Sequence, residues 1–452
     1  MDTTHPHSDP LTGLIEGMRI LLVSANREIF PEPVFPIGLA YLAHALGRSG
    51  ADVRIFDCNR FFPTAALRRE VRSFRPEAIG ISLRNVDNVS YPCVEFYLPS
   101  YATILSSIRQ VSRARIVLGG PAVSLFPEEI VARLGADAAV RGEGENALDV
   151  FTGSDTRIVA GTPSSLEGVA FPRNISDIFP EFRKYPTISV QTARGCPNRC
   201  IYCTYPSLEG RLKRNREPAA VADELEFLSK DLGARNFFIV DSLFNSDEGH
   251  MVRVLEEIIA RDLGITFSCY LQPKVTSPDV FTLLRRAGCI GVDFGTDSGS
   301  AQMLDALGKP FDVDDILKAS QACRDAGIDS CHSLLFGGPG ENAATIAETV
   351  HTMDMVHPKA VIPMTGIRIY PGTELERTAL KEGLLEQTDS LLEPRFYFPA
   401  MGASSLIENT LSAVAGRKNW FFPGDKSRTA SPNTTPLQQA CRSGPLWRTL
   451  RE

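Results

Sequence analysis

Three cysteines fall within eight residues, in the stretch RGCPNRCIYC: Cys196, Cys200 and Cys203. Cys-x3-Cys-x2-Cys on one loop can ligate three corners of a four-iron cluster and leaves the fourth iron without a protein ligand. An iron open in this way can take up a substrate or cofactor, whereas four cysteines make a closed electron-transfer centre. Zinc is the competing ligand. It asks for four donors, usually a Cys-x2-4-Cys pair matched by a distant second pair, and the next cysteine along, Cys269, has no local partner. The chain holds ten cysteines. In a cytosolic protein they stay reduced, so a disulfide framework is not expected.

Elements able to position such a loop surround it. From TISVQTARG onward, strand-like and helix-like stretches alternate until six strands have been counted. This predicts a partial (β/α)6 barrel over 188–390, with the cysteines in the loop after its first strand. Parallel barrels place their sites on such loops. Before it, residues 18–151 alternate strand and helix five times. The strands are apolar on both faces, as in a parallel sheet covered by helices, and predict an α/β, doubly wound, flavodoxin-like parallel sheet. Ligands bind such sheets at the carboxyl ends of the strands. Those ends carry Ser24 and Asn26, Leu83, Arg84 and Asn85, Gly119, Gly120 and Pro121, and Gly142, Glu143 and Gly144. The glycine pairs would let a bulky ligand approach the backbone. Residues 152–187 read as an irregular linker with a short hairpin, 1–17 as a disordered leader, and 391–452 as a polar C-terminal extension that caps the barrel or is partly disordered.

Hydrophobic residues make up 43% and charged residues 22% of the 452-residue chain, the balance of a globular protein with a sizeable core. The formal net charge is −7 and no basic stripe stands out, so a nucleic-acid partner is not expected. Without a run of about 18 apolar residues no membrane span is expected. The start lacks the basic and apolar regions of a signal peptide. A cytoplasmic location follows as an expectation.

With an aromatic residue, Tyr202, before its last cysteine, the motif resembles the signature of the radical S-adenosylmethionine (SAM) enzymes over roughly 186–390. The resemblance implies a [4Fe-4S] cluster on Cys196, Cys200 and Cys203 that binds SAM at its open iron and cleaves it to a 5′-deoxyadenosyl radical. It also implies an external reductant such as flavodoxin or ferredoxin. Carried over by order along the chain, the SAM contacts are Tyr202, Asp241 in FIVDS, Thr296, Asp297 and Ser298 in GVDFGTDSGS, Gly337 and Gly338 in LLFGGPGE, and Ile367 in IRIYPGTEL. At Asp297 relatives often carry Glu, so the side chain departs while the carboxylate stays.

ISLRNVDN, VLGGPAVSLFPEEI and RGEGE before such a barrel resemble the cobalamin-binding subclass. The resemblance assigns cobalamin to the strand-end residues named above. The loop SANREIFPEPVFPIG carries no histidine to sit below cobalt. His44 lies in a predicted helix, so cobalt is expected with no histidine below it, with water or a side chain such as Asn26 or Arg84 in that place. The implied function is a cobalamin-dependent radical SAM methyltransferase acting on an unactivated carbon, or phosphorus, of a small natural-product or lipid precursor. Two alternatives stay open: a non-methylating enzyme of ring formation, ring contraction or rearrangement, and a non-catalytic iron–sulfur or corrinoid-binding module. No catalytic acid or base is singled out. Arg194 reads as a surface charge, Cys269 and Cys331 as small core residues, and Trp420 and Phe421 as pocket lining, an exposed anchor or packing.

Overall fold

Short runs rich in Ile, Leu and Val, each followed by an amphipathic stretch, can bury both faces only as parallel strands between helices. The chain does this twice. The structure, a computed structural model, describes residues 15–28, 33–59, 63–153, 156–162, 165–275, 277–423 and 445–449. It divides into two compact units. The first comprises Met1–Ile29, Pro36–Val86 and Tyr97–Tyr185, and the second Phe30–Phe35, Asp87–Phe96 and Pro186–Glu452.

The first unit is built on strands β1 (Arg19–Ser24), β2 (Asp52–Asp57), β3 (Ala78–Ser82), β4 (Arg115–Gly119), β5 (Ala138–Gly142) and β6 (Ile158–Gly161). Helices α1 (Ile37–Arg48), α2 (Pro63–Phe74), α3 (Leu98–Arg109), α4 (Pro121–Leu125), α5 (Pro127–Leu134) and α6 (Ile175–Ile178) complete it. The strand order is β2-β1-β3-β4-β5-β6, all parallel. Ile20, Leu21, Leu22 and Val23 of β1 are fully buried.

Two expectations are corrected here. The segment read as a linker supplies a sixth parallel strand, β6, in place of a hairpin, and buries Phe171, Ile175 and Phe179. The Phe171 ring stands edge-on to Tyr41 at 5.5 Å. Four residues, IVAG, are too few for periodicity to register. Within the expected leader, Ile15 is buried and Gly17 donates its N–H to Gly50 O at 2.9 Å; residues 1–14 lie outside the described residues.

In the second unit, strands β7 (Ile188–Val190), β10 (Asn236–Ile239), β11 (Thr266–Leu271), β12 (Cys289–Asp297), β13 (Asp329–Phe336) and β14 (Ala360–Thr365) pair in parallel and in chain order. Two-stranded ribbons join β8 (Ala193–Arg194) to β9 (Arg214–Asn215), and β15 (Ile367–Arg368) to β16 (Phe396–Tyr397). The helices are α7 (Tyr205–Leu208), α8 (Pro218–Glu226), α9 (Glu248–Ala260), α10 (Asp279–Arg286), α11 (Ala301–Ala306), α12 (Val313–Asp325), α13 (Ala343–Val356), α14 (Glu374–Lys381) and α15 (Gly402–Ala413). Asp312 and Asn342 form capping boxes at the starts of α12 and α13.

Residues Asp87–Phe96, expected in the N-terminal domain, belong to this second unit. Asp87 forms a buried ion pair with Arg368 at 2.9 Å, and the Tyr91 ring lies 4.8 Å from Phe398. Both partners are more than 270 residues away in sequence. The C-terminal extension adds to the same core. Val361 donates its N–H to Asn419 O at 2.8 Å, and Phe421 donates to Val361 O at 2.9 Å. These bonds carry Trp420 into a cluster with Phe336, Ile346 and Leu406, which makes it packing rather than pocket lining. Trp447 is buried against Cys331 and Ala360 near the starts of β13 and β14. Residues 424–444 and 450–452 of the expected extension lie outside the described residues. Cys269 and Cys331 are fully buried, as small core thiols.

Candidate functional site

The end of β7 is fixed before the cysteines begin. Asp241, fully buried at the end of β10, accepts N–H donors from Thr192 (2.7 Å) and Ala193 (3.1 Å) on Oδ1 and the Thr192 hydroxyl (2.6 Å) on Oδ2. Here Asp241 aims the chain out of the strand. Arg194 is also buried and donates to Gln191 Oε1 at 2.9 Å, so the surface-charge expectation is corrected.

Gly195 then turns the loop at φ +95°. A Cβ there would lie 2.1 Å from Leu212 O, so no other residue fits. Its N–H donates to Glu209 Oε2 at 3.0 Å, and its carbonyl accepts from the Ser242 hydroxyl at 3.2 Å. Cys196 N–H donates to Gly210 O, Ile201 N–H to Leu307 O, and Cys203 N–H to Cys200 O, at 3.1 to 3.2 Å. The loop is therefore held along its whole length by hydrogen bonds inside one unit.

Cys196 is buried, and Cys200 and Cys203 are half-buried. Burial pushes the Cys200 thiol up, against the pull of the Lys309 ammonium. Burial likewise raises Cys203, to about 12, and the neighbouring Cys200 and Cys196 add to the rise. The three sulfurs thus lie within electrostatic reach of one another. Among the described residues no three His, Cys, Asp or Glu side chains converge tightly enough for a single ion. A four-iron cluster asks for a wider spacing, because each thiolate takes a different iron. Three thiols on one loop are the donor set of a cluster with one iron left open.

Asp297 is the hub beside this loop. A register shift between Gly295 and Asp297 marks a bulge in β12, and Asp297 takes φ +63°. Bulges next to sites re-aim side chains in this way. Its Oδ2 accepts a short hydrogen bond from the Tyr202 hydroxyl and a 2.6 Å bond from Lys309 Nζ. The Lys309–Asp297 pair is 7% exposed on each side. Burial pulls the Lys309 ammonium down, yet Asp297, Cys200 and Cys203 outweigh it and leave its pKa raised. Burial and then Asp297 push the Tyr202 phenol up, so it stays a proton donor. Gly308, adjacent to Lys309, packs against Arg199 O of the cysteine loop.

The other expected SAM contacts divide. Thr296 is buried on the helix side, bonded to His332 Nδ1 at 2.7 Å. Ser298 bonds Thr349 Oγ1 at 2.8 Å. Gly337 N–H donates to Glu341 Oε2 at 2.7 Å, and Gly338 packs on Met303. Ile367 is buried and pairs with Tyr397. Of the expected SAM contacts, Tyr202 and Asp297 meet at the cysteine loop, and Asp241 bonds the residues that lead into it. Lys309 and Glu209 escaped the sequence reading, because nothing in GKP or LEG marks a lysine or glutamate that tertiary packing turns inward.

In the first unit the strand ends form a polar edge. Ser24 is buried in register with Asp57 and Ser82. Asn26 is half-buried, and its Oδ1 accepts from Glu28 N–H at 3.4 Å. Leu83 is buried, while Arg84, Asn85 and Pro121 are exposed. Glu143 is buried and Gly144 half-buried.

The glycines here do different work. A Cβ on Gly142 would lie 2.4 Å from Gly161 O, and one on Gly120 2.8 Å from Leu83 O, so both serve the backbone's own packing. A Cβ on Gly119 meets nothing within 4 Å. His44 lies half-buried in α1 with Arg48 and Arg173 nearby, and burial and these charges lower its pKa. An edge with open space at Gly119 and exposed Arg84 and Asn85 fits a large polar cofactor.

A parallel sheet with a switch in strand order, followed by a six-strand sequential sheet with three thiols after its first strand, defines a two-domain cofactor enzyme. The B12 binding domain family matches residues 26–152 and the Radical SAM superfamily matches residues 190–353. The chain thus carries, in this order, a match to a B12 binding domain and a match to a radical SAM domain, the pairing of the cobalamin-binding radical SAM enzymes.

Among its relatives, the tryptophan 2-C-methyltransferase of Streptomyces laurentii is 25% identical over 82% of this chain and 75% of that protein. The anaerobic magnesium-protoporphyrin IX monomethyl ester cyclase of Rubrivivax gelatinosus is 28% identical over 52% of this chain and 47% of that protein. The solved radical SAM methyltransferase TsrM from Kitasatospora setae, with cobalamin and a [4Fe-4S] cluster bound, shares the fold. Its TM-score is 0.82 at 21% identity, over 96% of this chain and 97% of that one. Among the described residues no helix is long and apolar enough to cross a membrane.

Proposed function

We propose that the protein is a cobalamin-dependent radical SAM methyltransferase of a small molecule, working in the cytoplasm with an external protein reductant. The observation that carries the reading is the hydrogen-bonded loop that carries Cys196, Cys200 and Cys203 on one short stretch of chain. When bound, a cluster open at one iron supplies an electron for cleaving SAM, and cobalamin supplies a carrier for the methyl group. The chain's own residues hold and orient. The three thiolates would hold the cluster. Tyr202, kept protonated and tied to Asp297, shields its edge. The Lys309 ammonium, fixed by Asp297, places a buried positive charge beside thiolates that burial alone would disfavour. The edge formed by Ser24, Asn26, Arg84, Asn85 and Gly119 would hold cobalamin.

The methyl acceptor is proposed as an unactivated carbon of a natural-product or lipid precursor, in line with the tryptophan methyltransferase relative. A non-methylating ring-forming reaction is the second reading, supported by the cyclase relative that aligns with half of this chain.

Anaerobic reconstitution with iron, sulfide and hydroxocobalamin, followed by reduction, addition of SAM and mass spectrometry, tests the proposal. S-adenosylhomocysteine that forms only when cobalamin is present is the expected result. 5′-Deoxyadenosine alone, lost in Cys200→Ala, would favour the ring-forming reading. Neither product would sink both.

A further inference from the structure

Between Arg194 and Arg216 the chain carries six basic residues and one acid, in a protein whose net charge is −7. The fold sorts them. Arg194 and Arg216 are buried. Arg216 pairs with Glu224 at 3.0 Å and donates to Gln191 O at 2.7 Å. Glu209, the only acid of the run, faces inward onto the Gly195 N–H, so its charge is turned away from solvent.

What faces out is basic. Arg199 and Arg211 are exposed, and Lys213 and Arg214 are half-buried. In their midst Leu212 is 78% exposed, the most exposed of the large apolar side chains identified on this surface. Lys274 is exposed and joins the same face. Asn198 of the cysteine loop donates to Gln272 Oε1 at 3.0 Å, and Lys274 Nζ donates to Pro310 O at 2.7 Å.

This surface lies directly on the ligand loop. Arg199 precedes Cys200 in sequence. Arg211 donates to Asn198 O at 3.1 Å, and Leu212 O is the atom that forbids a side chain at Gly195. The Cys196 N–H bonds to Gly210 O in the same stretch. A partner seated here would be one loop's thickness from the three thiolates.

We propose that Arg199, Arg211, Leu212 and Lys274 form the docking surface for a small acidic electron-carrier protein that reduces the cluster. The proposal rests on the cluster assignment above and adds where the electron enters. Transient redox encounters use small interfaces steered by opposite charge. A basic rim around one exposed apolar side chain meets both requirements, and Leu212 supplies the water-excluding centre. The step moves one electron from the fully reduced carrier to the oxidised cluster, whose overall charge falls from 2+ to 1+. No bond is made or broken.

The test uses the full reconstituted protein and an acidic flavodoxin in its fully reduced form. Stopped-flow absorbance follows flavin oxidation, and dithionite reduction of the same samples serves as the parallel arm. In the wild type the flavodoxin rate constant should fall as ionic strength rises. Arg211→Glu and Lys274→Glu should each lower it, with a loss of about tenfold or more when combined, and Arg211→Lys should restore it. Leu212→Ser should lower it with little change in salt dependence. Dithionite rates should be unchanged throughout.

Flavodoxin rates that ignore both the charge reversals and salt would overturn the proposal and leave the patch as solvated surface. Dithionite rates that fall in parallel would overturn it too, since the residues would then act on the cluster itself. A wild-type protein that takes up no cluster would instead fail the functional reading on which the proposal rests.

Discussion

The two units each carry six parallel strands and use them differently. In the first, the order β2-β1-β3-β4-β5-β6 reverses beside β1, which opens a crevice at the strand ends. In the second, β7 and β10 to β14 run in chain order without reversal, so the loops after successive strands follow one another around one end. The first site is an open polar edge, with Arg84 and Asn85 in solvent. The second is a loop pinned by buried charge, through Asp241, Glu209, Asp297 and Lys309. An open edge suits a large cofactor that brings its own rigidity. A pinned loop suits a cluster whose ligands must be set before iron arrives. The same strand–helix unit thus yields a platform or a socket, depending on whether strand order reverses.

The sharpest way to separate the two is Cys200→Ala. Iron content and cluster absorbance should be lost almost completely while hydroxocobalamin binding to the first unit persists. Loss of both would show that the sites do not assemble independently. Asp241→Ala comes next, because it strands three buried donors at the root of the cysteine loop. It should cost about 3 kcal/mol in denaturant unfolding, with Asp241→Asn costing less. A change within error would mean that the loop does not depend on this anchor.

Gly142→Ala is the counterpart in the first unit. With φ +97° and a Cβ forced onto Gly161 O, it should destabilise that unit by about 2 kcal/mol, seen as a lower urea midpoint. Acid should then distinguish the units more gently. Burial, with Arg324, holds the His332 pKa down to about 3, so between that value and the ordinary histidine range the unfolded chain binds a proton that the folded barrel does not. Stability is fully present above the unfolded pKa and declines as pH falls below it, by roughly 1 kcal/mol per pH unit. Urea midpoints at pH 5.5 and 7.5 should show this slope, and His332→Asn should flatten it. An unchanged slope would place the acid sensitivity elsewhere. The smallest effect on folding is expected at Gly119→Ala, where a methyl meets nothing. Stability should hold while hydroxocobalamin affinity falls, as read by equilibrium dialysis; unaltered affinity would move the cofactor off this edge.

Much of this was legible in the residues. The cysteine spacing, the six-strand barrel and the parallel first sheet follow from local periodicity and from a motif contained in eight consecutive positions. Other features were hidden because their partners are distant. The strand IVAG is too short to show a period. Asp87 joins the second unit through Arg368, and Trp420 fills a core whose walls come from α13 and α15. The basic run at 194–216 was passed over because net charge averages it away. Its meaning depends on which charges the fold buries.

The sequence by itself determined the ligand set and the alternation of strand and helix, since both are written in neighbouring residues whose spacing and polarity act locally. Only the tertiary structure decided which carboxylate supports which loop. It turned Asp241 onto Thr192, joined Asp297 to Tyr202 and Lys309, and left Arg211 and Leu212 outside, because burial and hydrogen bonding between distant segments are settled when the strands pack and not before.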